Sequence, residues 1–222
     1  MKLQLRVLLC GLALQAGLLF CFAHDNTTMH PKITASAAQS SSGLQDFLSG
    51  NYVSADEASR VTGWESWLMT GSIYEDIPFW RGLNHFYDPT KHPAIGLTDG
   101  VNLGAYPSFR WATENLTQAG QQSFPWQIVR VYELNALTNS SQAARETSLA
   151  GMLFYLGHVI HLNQDLTVPA HVRNDNHGLN ATDGPFATLV MWTENYGRDN
   201  YSKQDQAKAF PIQTYHQGWA WW

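Results

Sequence analysis

The chain contains very little cysteine. Of its 222 residues only two are cysteines, Cys10 and Cys21, and both lie in an apolar stretch close to the amino terminus. Residues 24–222 therefore offer no thiolate to a metal ion and cannot form a disulfide. Because exported domains often use disulfides for stability, a domain of this composition must rely on its hydrophobic core or on bound metal ions.

The amino-terminal stretch has the pattern of a secretory signal. Lys2 and Arg6 precede a long apolar run, and a small residue, Ala23, follows that run. An uncleaved membrane anchor is the alternative, but a bilayer span needs roughly 20 apolar residues and this run is shorter. We therefore expect residues 1–23 to be a cleaved signal peptide and residues 24–222 to be one domain that is secreted or periplasmic.

Charged residues are also scarce, at 14% of the chain. Once Lys2 and Arg6 are removed with the signal, 11 basic residues remain against 18 acidic ones, so the net charge is −7. No run of Lys or Arg occurs. Binding to duplex nucleic acid through a basic patch is therefore disfavoured. If the substrate carries phosphate, some other positive group must neutralise it.

The alternation of apolar and polar residues that indicates β-strands is rare, whereas helical periodicity is clear in one segment. Residues 140–165 have apolar side chains at near-helical spacing, Ser141 can cap the helix, and Pro169 ends the run. Gly151 and Gly157 lower the helix propensity of this segment, but they permit a neighbouring element to approach closely.

The remaining segments carry weaker patterns. We predict helices over 30–39, over 54–69 with Ser54 as the cap, and over 184–201. The segment 124–138 is either a helix or a short strand. Long loops are expected over 71–122. Because 44% of the chain is hydrophobic, a substantial core is available. The prediction is an all-α, mainly helical single domain with long loops.

Histidine and aspartate are concentrated between residues 158 and 177. His161 and Asp165 are four positions apart on the predicted helix, so their Cβ atoms lie about 5–6 Å apart on one face. His171 follows the turn at Pro169 and can return to the same edge. Imidazole nitrogen and carboxylate oxygen are good Zn²⁺ ligands. A surface pair is the simpler explanation for His161 and Asp165 alone, and His158 is more simply explained as a core histidine.

Two motifs in this chain resemble those of a known enzyme family. The segments "FYLGHVIHLNQDLTVPAH" (154–171) and "LNHFYDP" (83–89) resemble the zinc-dependent bacterial phospholipases C, whose superfamily includes fungal single-strand nucleases. A third and weaker match, "MHPKIT", places His30 where the family has an early histidine. The similarity extends from His30 to about Tyr196.

The resemblance implies an all-helical fold that holds three zinc ions and hydrolyses phosphodiesters. The "HFYDP" segment favours a phospholipase C that acts on phospholipid at a membrane or micelle surface, yielding diacylglycerol and a phosphorylated head group. A single-strand-specific nuclease of the same superfamily is one alternative. A non-catalytic, zinc-stabilised binding domain is the other.

The resemblance also assigns ligands to the first two zinc ions. One ion would be bound by His85, His161, Asp165 and an acid near His85. Asp76 is our choice for that acid and is also the candidate general base, while the adjacent Glu75 is the alternative. The second ion would share Asp165 and be bound by His30 and by the new amino-terminal residue, which is His24 after cleavage. Family members commonly have Trp at that position, so His24 departs from the pattern.

The third zinc ion would be bound by His171, a further histidine and an acid. In the family the last two ligands are four positions apart on one helix, and this chain has no such pair. His177 is the nearest histidine, and Glu194 is the acid within the predicted helix over 184–201; Asp183 is the alternative acid.

Overall fold

The computed structural model describes residues 27–51, 63–91, 96–97 and 104–174. Helices dominate these residues, which confirms the prediction of a mainly helical chain. In chain order they are α1 (Met29–Ser40), α2 (Ser42–Asp46, continued by the π-helix Phe47–Asn51), α3 (Trp64–Tyr74), the 3₁₀ helix Phe79–Asn84, α4 (Ser108–Thr113), α5 (Trp126–Thr138), α6 (Gln142–Asp165) and α7 (Pro169–Arg173). Strands β1 (Thr117–Gln118) and β2 (Gln121–Gln122) form a small antiparallel hairpin.

Several predictions lie outside the described residues. These are the signal peptide 1–23 with both cysteines, the helix over 184–201, and the predicted cap Ser54. None of the helices in the described ranges combines the length and the apolar character that a membrane-spanning segment requires.

Helix α6 is the scaffold of the described structure, and it matches its sequence prediction closely. The Ser141 hydroxyl accepts a hydrogen bond from the Ala144 amide at 3.2 Å, which caps the helix as expected. Helices α3 and α5 pack along α6 and account for most contacts between elements. The core between them is apolar, and its most deeply buried members are Leu68, Val129, Ala136, Leu149 and Leu153.

Two glycines allow α3 and α6 to cross with their backbones in contact. A Cβ atom added to Gly157 would lie 2.2 Å from the carbonyl oxygen of Leu68, and one added to Gly71 would lie 1.9 Å from that of Phe154. Only hydrogen fits in such a gap. The expected close approach at Gly157 therefore occurs, and it brings the end of α3 against the second half of α6.

The sequence prediction for α3 was wrong in its extent. The helix begins at Trp64, directly after Gly63, whose φ of 70° lies in the left-handed region. It then continues through Gly71 to Tyr74, where loops were predicted, because packing against α6 outweighs the low helix propensity of glycine. Further along the chain, the ambiguous segment 124–138 forms a helix, α5, rather than a strand.

Candidate metal centre

Three histidines and two aspartates from separate parts of the chain meet beside α6. His30 comes from α1, Asp76 follows the end of α3, and His85 follows the 3₁₀ helix; the other two are His161 and Asp165 of α6. Each of the five is at most 2% exposed. Burying this many polar and ionisable groups is costly unless they are paired or bind a cation, so the cluster requires an explanation beyond packing.

Asp165 lies at the centre of the cluster, with imidazoles around both of its oxygens. Its Oδ2 atom is 2.6 Å from Nδ1 of His85 and 3.1 Å from Nε2 of His161. Its Oδ1 atom is 3.3 Å from Nε2 of His30. The carboxylate thus presents one oxygen to His30 and the other to His85 and His161, which is the arrangement needed to bridge two cations.

Asp76 is the second carboxylate that faces His85 and His161. Its Oδ1 atom is 3.5 Å from Nδ1 of His85, and its Oδ2 atom is 3.6 Å from Nε2 of His161. Within the described part of the chain neither oxygen has a hydrogen-bond partner. Burial raises the pKa of Asp76 to about 8; the charge of His85 opposes this rise and the charge of Asp165 adds to it.

The spacing of these atoms suits a small tetrahedral cation. The candidate donor atoms of His85, His161 and Asp165 all lie within 4.8 Å of one another, and so do those of His30, Asp76 and His161. With bonds of about 2.0–2.2 Å, the ligands of a tetrahedral Zn²⁺ are about 3.3–3.6 Å apart. The contacts at 3.3, 3.5 and 3.6 Å lie within this range, and the 3.1 Å contact between His161 and Asp165 lies just below it. The 2.6 Å contact between His85 and Asp165 would have to widen by about 0.7 Å on this geometry.

Hydrogen bonds on the far side of two imidazoles fix which nitrogen faces the cluster. Nδ1 of His161 donates to the carbonyl oxygen of Ser72 at 2.6 Å, since that oxygen can only accept. Nδ1 of His30 donates to Oε1 of Gln164 at 2.5 Å, and the amide nitrogen of Gln164 bonds to Thr34 at 2.9 Å. Both rings therefore turn Nε2 toward the carboxylates, which is the nitrogen that can bind a metal ion when the proton of a neutral ring is on Nδ1.

Glu75 and Asp76 are consecutive, but they face different surroundings. Oε2 of Glu75 accepts hydrogen bonds from Arg81 and from Nδ1 of His158, both at 2.6 Å, and Oε1 accepts one from Nε1 of Trp111 at 2.8 Å. Burial alone would raise the pKa of Glu75, but Arg81 and His158 hold it well below its usual range. Of the two predicted alternatives, Asp76 is therefore the acid that faces the imidazole cluster with both oxygens.

His171 borders the cluster without joining either group of three donors. It is fully buried on α7, and its Nδ1 atom donates to the carbonyl oxygen of His85 at 2.9 Å. That same nitrogen is 4.0 Å from Oδ2 of Asp165, and the ring stacks on Phe86 with centroids 4.2 Å apart. The other predicted ligands lie outside the described residues; they are His24, His177, Glu194 and its alternative Asp183.

Sequence reasoning missed the residues that support the cluster. Gln164 and Ser72 orient two imidazoles, while Arg81 and Trp111 bind the carboxylate of Glu75. None of these belongs to a recognisable spacing pattern. A weak signal was the low content of charged residues, because each arginine in a chain that is 14% charged is a candidate for pairing with an acid.

A cavity of about 270 Å³ lies on another side of α6. Phe109 and Trp126 form part of its wall, and Val159, Leu162 and Leu166 contribute from α6. Leu162 is rotated by about 100° around the helix from its neighbour in the cluster. None of the five clustered residues lines this cavity, so it is separate from the candidate metal centre.

Comparison with known proteins adds no identification. No family model, no curated protein and no solved structure matches this chain. The evidence for function is therefore the geometry of the cluster and the resemblance of its motifs to those of the zinc-dependent phospholipases C.

Proposed function

We propose that this protein is a secreted, zinc-dependent phosphodiester hydrolase of the phospholipase C type. The observation that carries the proposal is the convergence of His30, Asp76, His85, His161 and Asp165 into one buried cluster whose donor atoms have the spacing of zinc ligands. These five are the described residues that the motif resemblance selects for the first two ions. A set of three imidazoles and two carboxylates, without sulfur, suits Zn²⁺.

The residues divide naturally into two ligand groups. His85, His161, Asp76 and Oδ2 of Asp165 would hold one ion. His30 and Oδ1 of Asp165 would hold a second. His171 would bind the third ion through Nε2, because its Nδ1 atom donates a hydrogen bond to the carbonyl oxygen of His85. His177 and Glu194 are proposed to complete that third site, with Asp183 as the alternative acid, and His24 to complete the second.

Bound zinc would supply the positive charge that stabilises a phosphodiester and would lower the pKa of a water molecule toward about 7. This fits the composition, because the chain is acidic and lacks a basic patch. The buried Arg81 does not supply this positive charge either, since its guanidinium is hydrogen-bonded to Glu75 and to the Gln122 carbonyl oxygen.

Asp76 is the candidate general base of the reaction. One of its oxygens faces His85 and the other faces His161, so one can remain with the ligand set while the other accepts a proton from water. A carboxylate that lies beside a bound water can act as its general base.

The proposal is tested by measuring metal content and hydrolysis together. The protein, purified after secretion so that the predicted signal peptide has been removed, should contain zinc by elemental analysis and should hydrolyse phosphatidylcholine in mixed micelles. Asp165→Asn should lose zinc and reduce turnover by about 100-fold or more, whereas Asp46→Asn, at an exposed position on α2, should match the wild type. Hydrolysis of single-stranded DNA instead of phospholipid would assign the nuclease alternative. Zinc without either activity would support the binding domain, and a chain that binds no zinc would overturn the proposal.

A further inference from the structure

The imidazole of His85 faces the cluster through the opposite nitrogen from the other two. Its Nδ1 atom is 2.6 Å from Asp165 and 3.5 Å from Asp76, whereas His30 and His161 turn Nε2 inward. A neutral imidazole that uses Nδ1 as a ligand carries its proton on Nε2. The ligand role proposed for His85 therefore places an N–H group on the side of the ring that points away from the metal centre.

That N–H group needs an acceptor from the protein, because the ring of His85 is buried away from water. His85 is 1% exposed, and among the described residues its Nε2 atom has no hydrogen-bond partner. A carboxylate oxygen is nevertheless within reach, because Oε1 of Glu75 lies 3.6 Å from Nε2. A shift of about 0.6 Å would bring the two atoms to a hydrogen-bond distance.

We propose that Glu75 is a positioning residue that accepts the Nε2–H of His85 and thereby holds Nδ1 toward Asp76 and Asp165. The inference rests on the proposed function, since it assigns an orienting partner to one of its ligands. Two consecutive acids then bracket one ring: Asp76 lies at Nδ1 and Glu75 at Nε2. A carboxylate that orients a metal-binding histidine from behind increases metal affinity.

The carboxylate of Glu75 is itself held rigidly. Arg81 donates a hydrogen bond from a terminal nitrogen to Oε2 of the carboxylate at 2.6 Å, and a second one from Nε to the backbone carbonyl oxygen of Glu75 at 3.0 Å. Trp111 and His158 supply two further donors. The guanidinium of Arg81 also lies 4.5 Å from the ring centre of Phe124. Glu75 therefore cannot rotate away from His85 without breaking several buried contacts.

A pair of variants separates orientation from general support of the fold. In Glu75→Gln, Arg81 and His158 should keep the amide oxygen on their side, so that the amide NH₂ group faces His85 and no acceptor remains. Trp111→Phe removes another donor from the same network but leaves the acceptor in place. We expect zinc affinity, measured by competition with a chelator, to fall about 10- to 100-fold in Glu75→Gln. It should stay within about threefold in Trp111→Phe, at comparable helicity of the two metal-free chains by circular dichroism.

A second readout uses the wild-type chain alone. In the zinc-loaded protein, nitrogen NMR of labelled histidine should show His85 protonated at Nε2 and metal-bound at Nδ1, with the signal assigned by its loss in His85→Ala. If Glu75→Gln does not fold, this measurement on the wild type tests the inference by itself. Coordination through Nε2, unchanged affinity in Glu75→Gln, or equal losses in both variants would overturn the inference while leaving the proposed function intact. A wild-type chain that binds no zinc would overturn both.

Discussion

The backbone of Gly157 in α6 lies against that of Gly71 in α3: a Cβ atom on Gly71 would stand 3.2 Å from Cα of Gly157. This contact sets the distance between the two helices at the level of the candidate metal centre. One residue beyond Gly71, the carbonyl oxygen of Ser72 accepts the hydrogen bond that orients His161. The helix crossing and the orientation of a proposed ligand therefore depend on the same contact.

We predict that Gly157→Ala destabilises the protein. The added methyl group would lie 2.2 Å from the Leu68 carbonyl oxygen, which belongs to the backbone and cannot move aside cheaply. The free energy of unfolding by urea should fall by about 1–3 kcal/mol, as for an overpacked core. Gly43→Ala is the matched control, because Gly43 has open space around its Cβ position and should be neutral or slightly stabilising. Equal effects of the two substitutions would contradict the packing argument.

The proposed zinc ions should stabilise the folded chain against heat, so their removal from the cluster should lower the melting temperature. A ligand that binds only the folded state at 1,000 times its dissociation constant stabilises it by about 4 kcal/mol. A strong chelator should therefore lower the melting temperature of the wild type by several degrees. His161→Ala should melt at the same temperature with and without chelator. The control is Asn163→Ala, an exposed position two residues along α6, which should retain the full response.

The metal-free chain should become less stable as the pH rises through neutrality. Burial raises the pKa of Asp76 to about 8. The pKa of His85 rises to about 10, because the charge of Asp165 outweighs the opposing effect of burial. In both cases the folded state holds a proton that the unfolded state has released, over about pH 4–8 for Asp76 and pH 6.5–10 for His85. Stability therefore falls with rising pH in these windows, by at most about 1.4 kcal/mol per pH unit for each group.

Urea unfolding of the metal-free chain between pH 4 and 9 would measure this dependence. Asp76→Asn removes the first of the two titrations, so its unfolding free energy should vary less than that of the wild type between pH 4 and 6. In the proposed zinc-loaded protein, zinc would take the place of the protons and should flatten the decline in unfolding free energy at higher pH. A metal-free wild type that gains stability from pH 6 to pH 8 would show that these two groups do not control the pH response.

The buried pair of Arg81 and Glu75 should matter far more than a surface pair of the same kind. Arg81→Met leaves the Glu75 carboxylate buried without its cation, so the unfolding free energy should fall by about 3–5 kcal/mol. The control is Arg110→Met, which removes an Arg–Glu contact of the same 2.6 Å length between side chains that are 39% and 42% exposed. That change should have little effect on stability, because solvent screens an exposed ion pair. Similar losses in both variants would contradict the role assigned to burial.

The sequence predicted most reliably those features that depend on local spacing. The extent of α6, its Ser141 cap and the close approach at Gly157 follow from periodicity, capping chemistry and the small size of glycine. The motif residues His30, Asp76, His85, His161 and Asp165 also meet in space, while their role as zinc ligands remains a prediction. The start of α3 at Trp64 was missed because the residue at the N-cap position, Gly63, has no side chain that could cap the helix.

Other features could not be read from local spacing. Glu75 and Asp76 are adjacent acids of similar chemistry, and only the fold reveals that Arg81 and Trp111 engage one of them while the other faces the imidazoles. Contacts such as that between Glu75 and Trp111 join residues far apart in the chain, and no periodicity records them. The assignment of roles to neighbouring acids therefore needed three-dimensional information.

The five clustered residues are distributed from α1 to the end of α6, with His30 and Asp165 at almost opposite ends of the described chain. A nascent polypeptide cannot bring these two side chains together until Asp165 has emerged from the ribosome or the translocation channel. Metal loading of the proposed site would therefore have to follow the emergence of Asp165, in the compartment where the protein folds. The zinc supply of that compartment, rather than of the site of synthesis, would then determine how much of the protein matures.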